Sequence, residues 1–123
     1  MKTINALIAV LVALSALTTA NTLFGQDPTK VAPQFYKMKL DEKGVRVLEV
    51  SLAPGDKIPT HSHPDHVGYA LTAGTLTITE TGKEPQKIDL KVGDAMFLPA
   101  QTHQGENTGK TTLKLVVVEL PKK

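Results

Sequence analysis

The sequence predicts a single all-β domain, on three observations. Short apolar-alternating segments, separated by turn residues, recur every roughly 8–12 residues, which is the spacing of a sandwich or barrel. No stretch after residue 30 carries the apolar period of a helix. Nine glycines and eight prolines suit tight turns between strands better than helices. A small antiparallel barrel or double-sheet jelly roll follows, because closing or stacking the sheets protects their edges. A chain of 123 residues holds one domain. It can bury a core without staples, and with no cysteine it has neither disulfides nor thiolate ligands.

Taken in order, residues 1–20 read as a leader rather than as part of the fold. Lys2 precedes an apolar run from Ile4 to Leu17, and no charge follows until Asp27. The run is shorter than the roughly 20 apolar residues that span a bilayer. Thr18 and Ala20 supply small residues for cleavage after Ala20, the pattern of a secretory signal peptide. The alternative is an uncleaved N-terminal anchor; the lack of cysteine excludes a lipoprotein anchor. The expected protein is therefore periplasmic or secreted, with no stable membrane insertion after cleavage. Residues 21–33 are punctuated by proline and glycine and read as a linker or loosely attached leading arm. Residues 34–121 form the barrel domain.

Within that domain, Arg46, Leu48, Val50 and Leu52 share one face of a strand over Val45 to Leu52. Thr75 to Glu80 alternates threonine with Leu76 and Ile78. Gln86 to Leu90 and Ala95 to Pro99 are two further strands, joined by the turn Lys91-Val92-Gly93-Asp94. Thr112 to Leu120 is the most apolar strand and is expected deep in a sheet. Gly55, Gly74, Gly93 and Gly109 fall at strand ends, where positive φ favours glycine. The net charge is only +2, and no basic run is interleaved with aromatics, so nucleic acid is not an expected partner.

All four histidines lie in two short windows: His61, His63 and His66 in the first, His103 in the second. On a strand, the spacing of His61 and His63 points both imidazoles to one side, about 7 Å apart along the backbone. Two such rings can tilt onto one ion, with a third ligand from another strand. Borderline divalent ions such as Zn, Fe, Cu, Ni and Mn accept imidazole nitrogen readily. The alternative is a set of exposed loop histidines. His66 has the wrong parity for the same face, unless Pro64 breaks the register and lets His66 or Asp65 swing in as ligand or proton carrier. Otherwise His66 is a rim residue and Asp65 a turn former. Tyr69 shares parity with Val67 and is the second candidate catalytic residue; its alternative is packing in the barrel wall. One of Met96 and Phe97 is expected to face the cavity, and Gln101 or Gln104 can hydrogen-bond a ligand.

These windows resemble the two motifs of the cupin superfamily, G-x5-H-x-H-x3,4-E-x6-G and G-x5-P-x-G-x2-H-x3-N. Gly55, His61, His63 and Gly74 fit the first; Gly93, Pro99, His103 and Asn107 fit the second. The resemblance covers the chain from about residue 35 onward. It implies a jelly-roll β-barrel with both windows at its mouth, and His61, His63 and His103 as metal ligands. It also implies a homodimer formed through outer sheets, with Leu113 to Leu120 or Phe35 to Leu40 as candidate contacts. Two departures stand out: Val67 occupies the glutamate position, and Gln101 replaces a glycine with one residue fewer before His103. Three neutral imidazoles would leave a divalent ion near its full charge and favour an anionic or chelating ligand. Metal affinity is expected to fall below about pH 6, where free imidazoles protonate.

Three functions follow. The first is a metal-dependent enzyme, a dioxygenase or isomerase acting on a small oxyanion or chelating molecule. The alternative is a non-catalytic module binding metal or a small molecule, and the last is a metal-free structural unit. No general base stands out, since Glu80, Glu84 and Glu106 fall outside the ligand positions.

Overall fold

A computed structural model describes residues 26–123. The expected leader and the first residues of the linker, 21–25, lie outside the described residues. Among the described residues, nine strands form two antiparallel sheets. One sheet runs, edge to edge, β1 (Tyr36–Glu42), β2 (Val45–Leu52), β9 (Leu113–Glu119), β4 (His66–Ala70), β7 (Ala95–Leu98). The other runs β3 (Lys57–His63), β8 (Gln101–Asn107), β5 (Gly74–Glu80), β6 (Gln86–Leu90). The result is the double-sheet jelly roll, and β9 is the middle strand of its sheet.

The core is made by two-residue alternation on strands that pair in register. Leu48, Val50 and Leu52 of β2 stand opposite Val117, Leu115 and Leu113 of β9. Ile58, Leu76, Ile78 and Leu90 close over them from the second sheet. Leu48, Leu52 and Leu113 are wholly inaccessible to solvent, and burying each such side chain is worth about 1.5–3 kcal/mol.

The segment before β1 is docked rather than loose. Asp27 caps a short helix α1 (Pro28–Val31), accepting a hydrogen bond from the Thr29 amide at 2.9 Å, with proline in the first turn. Pro28 and Ala32 are buried. Four residues are too few to show a helical apolar period, so only packing reveals this turn. Gly55 and Gly93 have positive φ as expected. Gly74 and Gly109 do not; space requires glycine there instead. A Cβ at Gly74 would sit 3.0 Å from Leu113 Cδ1, and one at Gly109 3.2 Å from the Thr75 amide nitrogen.

Asn107 ties the bottom of the fold together. Its wholly buried amide donates to the carbonyls of Leu52 and Thr111, both at 2.9 Å, and accepts from the Gly109 amide at 3.0 Å. Asn107→Ala would strand two carbonyls and an amide, so a loss of about 3 kcal/mol is expected in denaturant unfolding. A loss under about 1 kcal/mol would mean that water replaces the side chain.

Candidate metal centre

The first pair of histidines is aimed by a bulge. Ile58 pairs with Gly105 and His61 with His103, so β3 spends one more residue than β8 between these points. Pro59 falls in this irregularity, where a residue without an N–H costs no ladder bond. The bulge lets Ile58, His61 and His63 all turn inward. His103 lies directly across from His61 on β8. The ring centroids of His61, His63 and His103 are 4.9, 4.6 and 5.2 Å apart pairwise. One nitrogen from each lies within 4.8 Å of the other two.

The Nδ1 of every ring is engaged. His61 donates to the Pro59 carbonyl at 2.7 Å, and His66 repeats the device with Pro64 at 2.8 Å. His63 donates to Glu119 Oε2 at 2.6 Å, and His103 to Gln101 Oε1 at 2.8 Å. All four acceptors are oxygens, so each ring carries a proton on Nδ1, which leaves Nε2 as the atom turned to the site. Metal-ligating histidines are held in this way. The donor chemistry therefore fits a divalent transition ion on three Nε2 atoms.

His66 faces inward in spite of its parity because the chain changes sheet. β3 belongs to one sheet and β4 to the other, and Pro64-Asp65 is the whole crossing. His66 stands with its ring centroid 4.5 Å from that of His63 and 6.2 Å from that of His103. Asp65 faces away as a turn residue, accepting from the Ala100 amide at 2.8 Å.

Three groups at the site escape a reading centred on histidine. Glu119 is buried and holds His63; on β9 it continues the inward series Leu113, Leu115, Val117. Arg46, opposite Glu119 on β2, continues the inward series of that strand. Its Nε is 2.8 Å from Glu119 Oε1 with the N–H directed off the oxygen, an ionic contact rather than a hydrogen bond. Tyr36 places its hydroxyl 3.3 Å from His61 Nε2. A charge at an inward position of an apolar strand was the available signal for Arg46 and Glu119; nothing local marked Tyr36.

Tyr69 is not at the site. Inward positions of β4 are His66, Gly68 and Ala70, and Tyr69 lies on the outer face, 44% exposed. Val67 also lies off the inward series, so its identity does not by itself remove an inner ligand. Met96 lines the cavity and Phe97 faces solvent. Gln101, the departure from the glycine motif, orients His103; Gln104 points outward to Thr60.

The four rings surround a cavity of about 50 Å³, otherwise lined by Tyr36 and apolar side chains such as Ile58, Leu76 and Leu98. None of the four is more than 5% exposed. Burial pushes His61 down to about 4 and His103 down to about 3, and lowers His66 as well. His61, His66 and His103 are thus ready as neutral rings. Burial pushes Glu119 upward, but the His63 hydrogen bond and the charge of Arg46 outweigh it and keep the carboxylate ionised. Burial, with Glu119 nearby, raises the Tyr36 phenol far above its ordinary value, so it remains a donor.

Residues 48–119, more than half of the chain, match the family model for the cupin domain. No functionally curated protein matches. Among solved structures, a cupin domain from Bordetella pertussis Tohama I is 26% identical with a TM-score of 0.64, over 69% of this chain and 90% of that one. A cupin superfamily protein from Desulfitobacterium hafniense is 24% identical with a TM-score of 0.57, over 71% and 76%. A cupin family protein with a double-stranded β-helix fold from Methanocaldococcus jannaschii is 21% identical, also at 0.57, over 70% and 80%.

Proposed function

This chain belongs to the cupin domain family, and from that premise we propose that it is an exported metal-binding cupin. It holds one divalent transition ion on the Nε2 atoms of His61, His63 and His103, and takes a small molecule at the ion's open positions. The observation that carries this reading is the common tautomer: four buried rings, each with Nδ1 engaged by an oxygen. An ion so bound supplies Lewis acidity, and redox chemistry where the metal is Fe, Mn or Cu.

The chain's own groups define what such a site does with a ligand. Neutral His66, beside His63, accepts or returns a proton at Nε2. Tyr36 remains protonated, and when His61 Nε2 is taken up its hydroxyl is a donor for whatever enters the cavity. The cavity of about 50 Å³ limits that molecule to a few heavy atoms, since one water already takes about 10–15 Å³ of such space. A small oxyanion or a dioxygen-sized molecule fits; a β-diketone or hydroxy acid requires the apolar wall to open. The dioxygenase or isomerase reading with a chelating substrate is therefore the second one.

Elemental analysis of protein purified without chelator or nickel resin tests the first step, with about one equivalent of metal expected. Titration of the Co²⁺-loaded protein tests the second. Azide is expected to change the visible bands, and acetylacetone to leave them unchanged. Absence of metal overturns the reading; a ternary complex with acetylacetone shifts it to the chelating substrate.

We further propose a homodimer through the outer face of the five-stranded sheet. Leu40, Val47, Val118, Val67 and Phe97 pair successively across all five strands, with Val116 and Tyr69 in the next row. Phe97 is 58% exposed, and exposed apolar patches of this kind mark interaction sites. Light scattering is expected to give a dimer for the wild type and a monomer for Phe97→Asp. A monomeric wild type at micromolar concentration would overturn this.

A further inference from the structure

A chain of contacts leads from the metal centre to the docked segment that precedes the barrel. Glu119 grips His63 through one oxygen and meets Arg46 through the other. Arg46 then closes a two-pronged pair on Asp27, with Nη1 2.7 Å from Oδ2 and Nη2 3.0 Å from Oδ1. Arg46 holds the Asp27 carboxyl well below the usual carboxylate range. A second link bypasses the side chains. The amide of Ser62, which sits between the ligands His61 and His63, donates to the Gln26 carbonyl at 2.7 Å. The segment thus supplies both a pairing partner for the exposed edge of β3 and the counter-charge for the residue behind His63.

We propose that the segment from Gln26 to Ala32 is a strap whose docking and metal occupancy stabilise each other, with Asp27, Arg46 and Glu119 as positioning residues for His63. The inference rests on the metal-binding reading above. With Asp27 in place, Arg46 is fixed, Glu119 is held on its His63 side, and His63 is aimed with Nε2 towards the other ligands. With the strap away, the guanidinium is free to follow its charge into solvent, and the grip on His63 loosens. Conversely, an ion that immobilises His61 and His63 stiffens the edge to which Gln26 pairs. Linkage requires the two effects to be equal.

The test is Zn²⁺ titration into the full chain by calorimetry, for wild type, Asp27→Asn and Glu119→Gln. It is paired with hydrogen exchange at the amides of Lys30, Val31 and Ala32, which bond back to Asp27 and Pro28 and are remote in sequence from the ligands. Asparagine caps a helix as well as aspartate, so Asp27→Asn removes the charge and spares the turn. Glu119→Gln is expected to weaken Zn²⁺ binding about 10–100-fold, the usual effect of losing a group that orients a ligand. Asp27→Asn, one contact further out, is expected at about fivefold to tenfold. Zn²⁺ is expected to slow exchange at the three strap amides in the wild type by about the factor that Asp27→Asn loses. A merely structural strap would lower the unfolding temperature and leave affinity and metal-dependent protection unmoved; that result overturns the proposal. Should Asp27→Asn fail to fold, the wild-type exchange and Glu119→Gln decide. A wild type that binds no Zn²⁺ defeats the metal reading itself, which is a separate outcome from a wild type that binds without protecting the strap.

Discussion

His103→Ala is expected to lower the affinity for Zn²⁺ or Co²⁺ by more than about 100-fold, beyond the loss from removing a group that only orients a ligand. Two arguments set the size. His103 is the only ligand of the three from β8, so without it the ion is left with two nitrogens from one strand. The remaining ring, His66, also cannot move over to replace it, because its Nδ1 is tied to the Pro64 carbonyl of its own turn. The variant should still fold, since Gln101, whose Oε1 alone loses its partner, is only partly buried and can turn to water. Tyr69→Phe is the matched control and should bind metal as the wild type does, its side chain being on the outer face. Calorimetric titration at pH 7 checks both. A His103→Ala protein within tenfold of wild type would remove the second window from the site.

The metal-free protein is expected to lose several kcal/mol of stability as the pH falls from 6.5 to 4.5. His61 and His103 titrate near 6.5 when unfolded but at about 4 and about 3 when folded, because burial penalises the charged ring. Within this window the unfolded chain binds more protons than the native one, so stability rises with pH. It is fully present above about 6.5, falls as the pH drops, and the loss levels off below the folded values. Two pH units below 6.5 correspond to about 2.7 kcal/mol for each ring, an upper bound near 5 kcal/mol for the pair. His66 is lowered too and acts in the same direction. Asp27 and Glu119, both lowered, add a further loss only as the pH falls through the range below about 4. Denaturant unfolding of chelator-treated protein at pH 7 and 4.5 checks this, with the slope against denaturant held constant. Equal stability at the two pH values would mean that the rings are not buried. Protons compete for His61 and His103 in the folded protein only nearer pH 4.

Much of this was legible because it depends on short-range rules. Two-residue alternation makes Val45–Leu52 and Leu113–Glu119 strands with one apolar face, wherever they sit. The same rule puts His61 and His63 on one side, and the paired windows with their glycines and Pro99 carry the cupin resemblance. Arg46 and Glu119 were legible in principle: each is a charge on the inward series of an apolar strand, and two such charges need each other. Other features were beyond any local rule. His66 turns inward because Pro64-Asp65 carries the chain from one sheet to the other, so parity counted from His63 no longer applies. Tyr69 and Val67 are placed on the outside by the same crossing, and Tyr36 reaches His61 across a sequence separation of 25 residues.

By itself the sequence determined the strand content, the faces within each strand and the three histidines that could share an ion, because side-chain direction repeats every two residues along an extended backbone. Only the tertiary structure decided which face looks inward after a bulge or a change of sheet, and which distant groups back each ring. Those outcomes depend on pairing between strands, and burial then decided the protonation of the rings, since the cost of a charge depends on what surrounds it rather than on its neighbours in the chain.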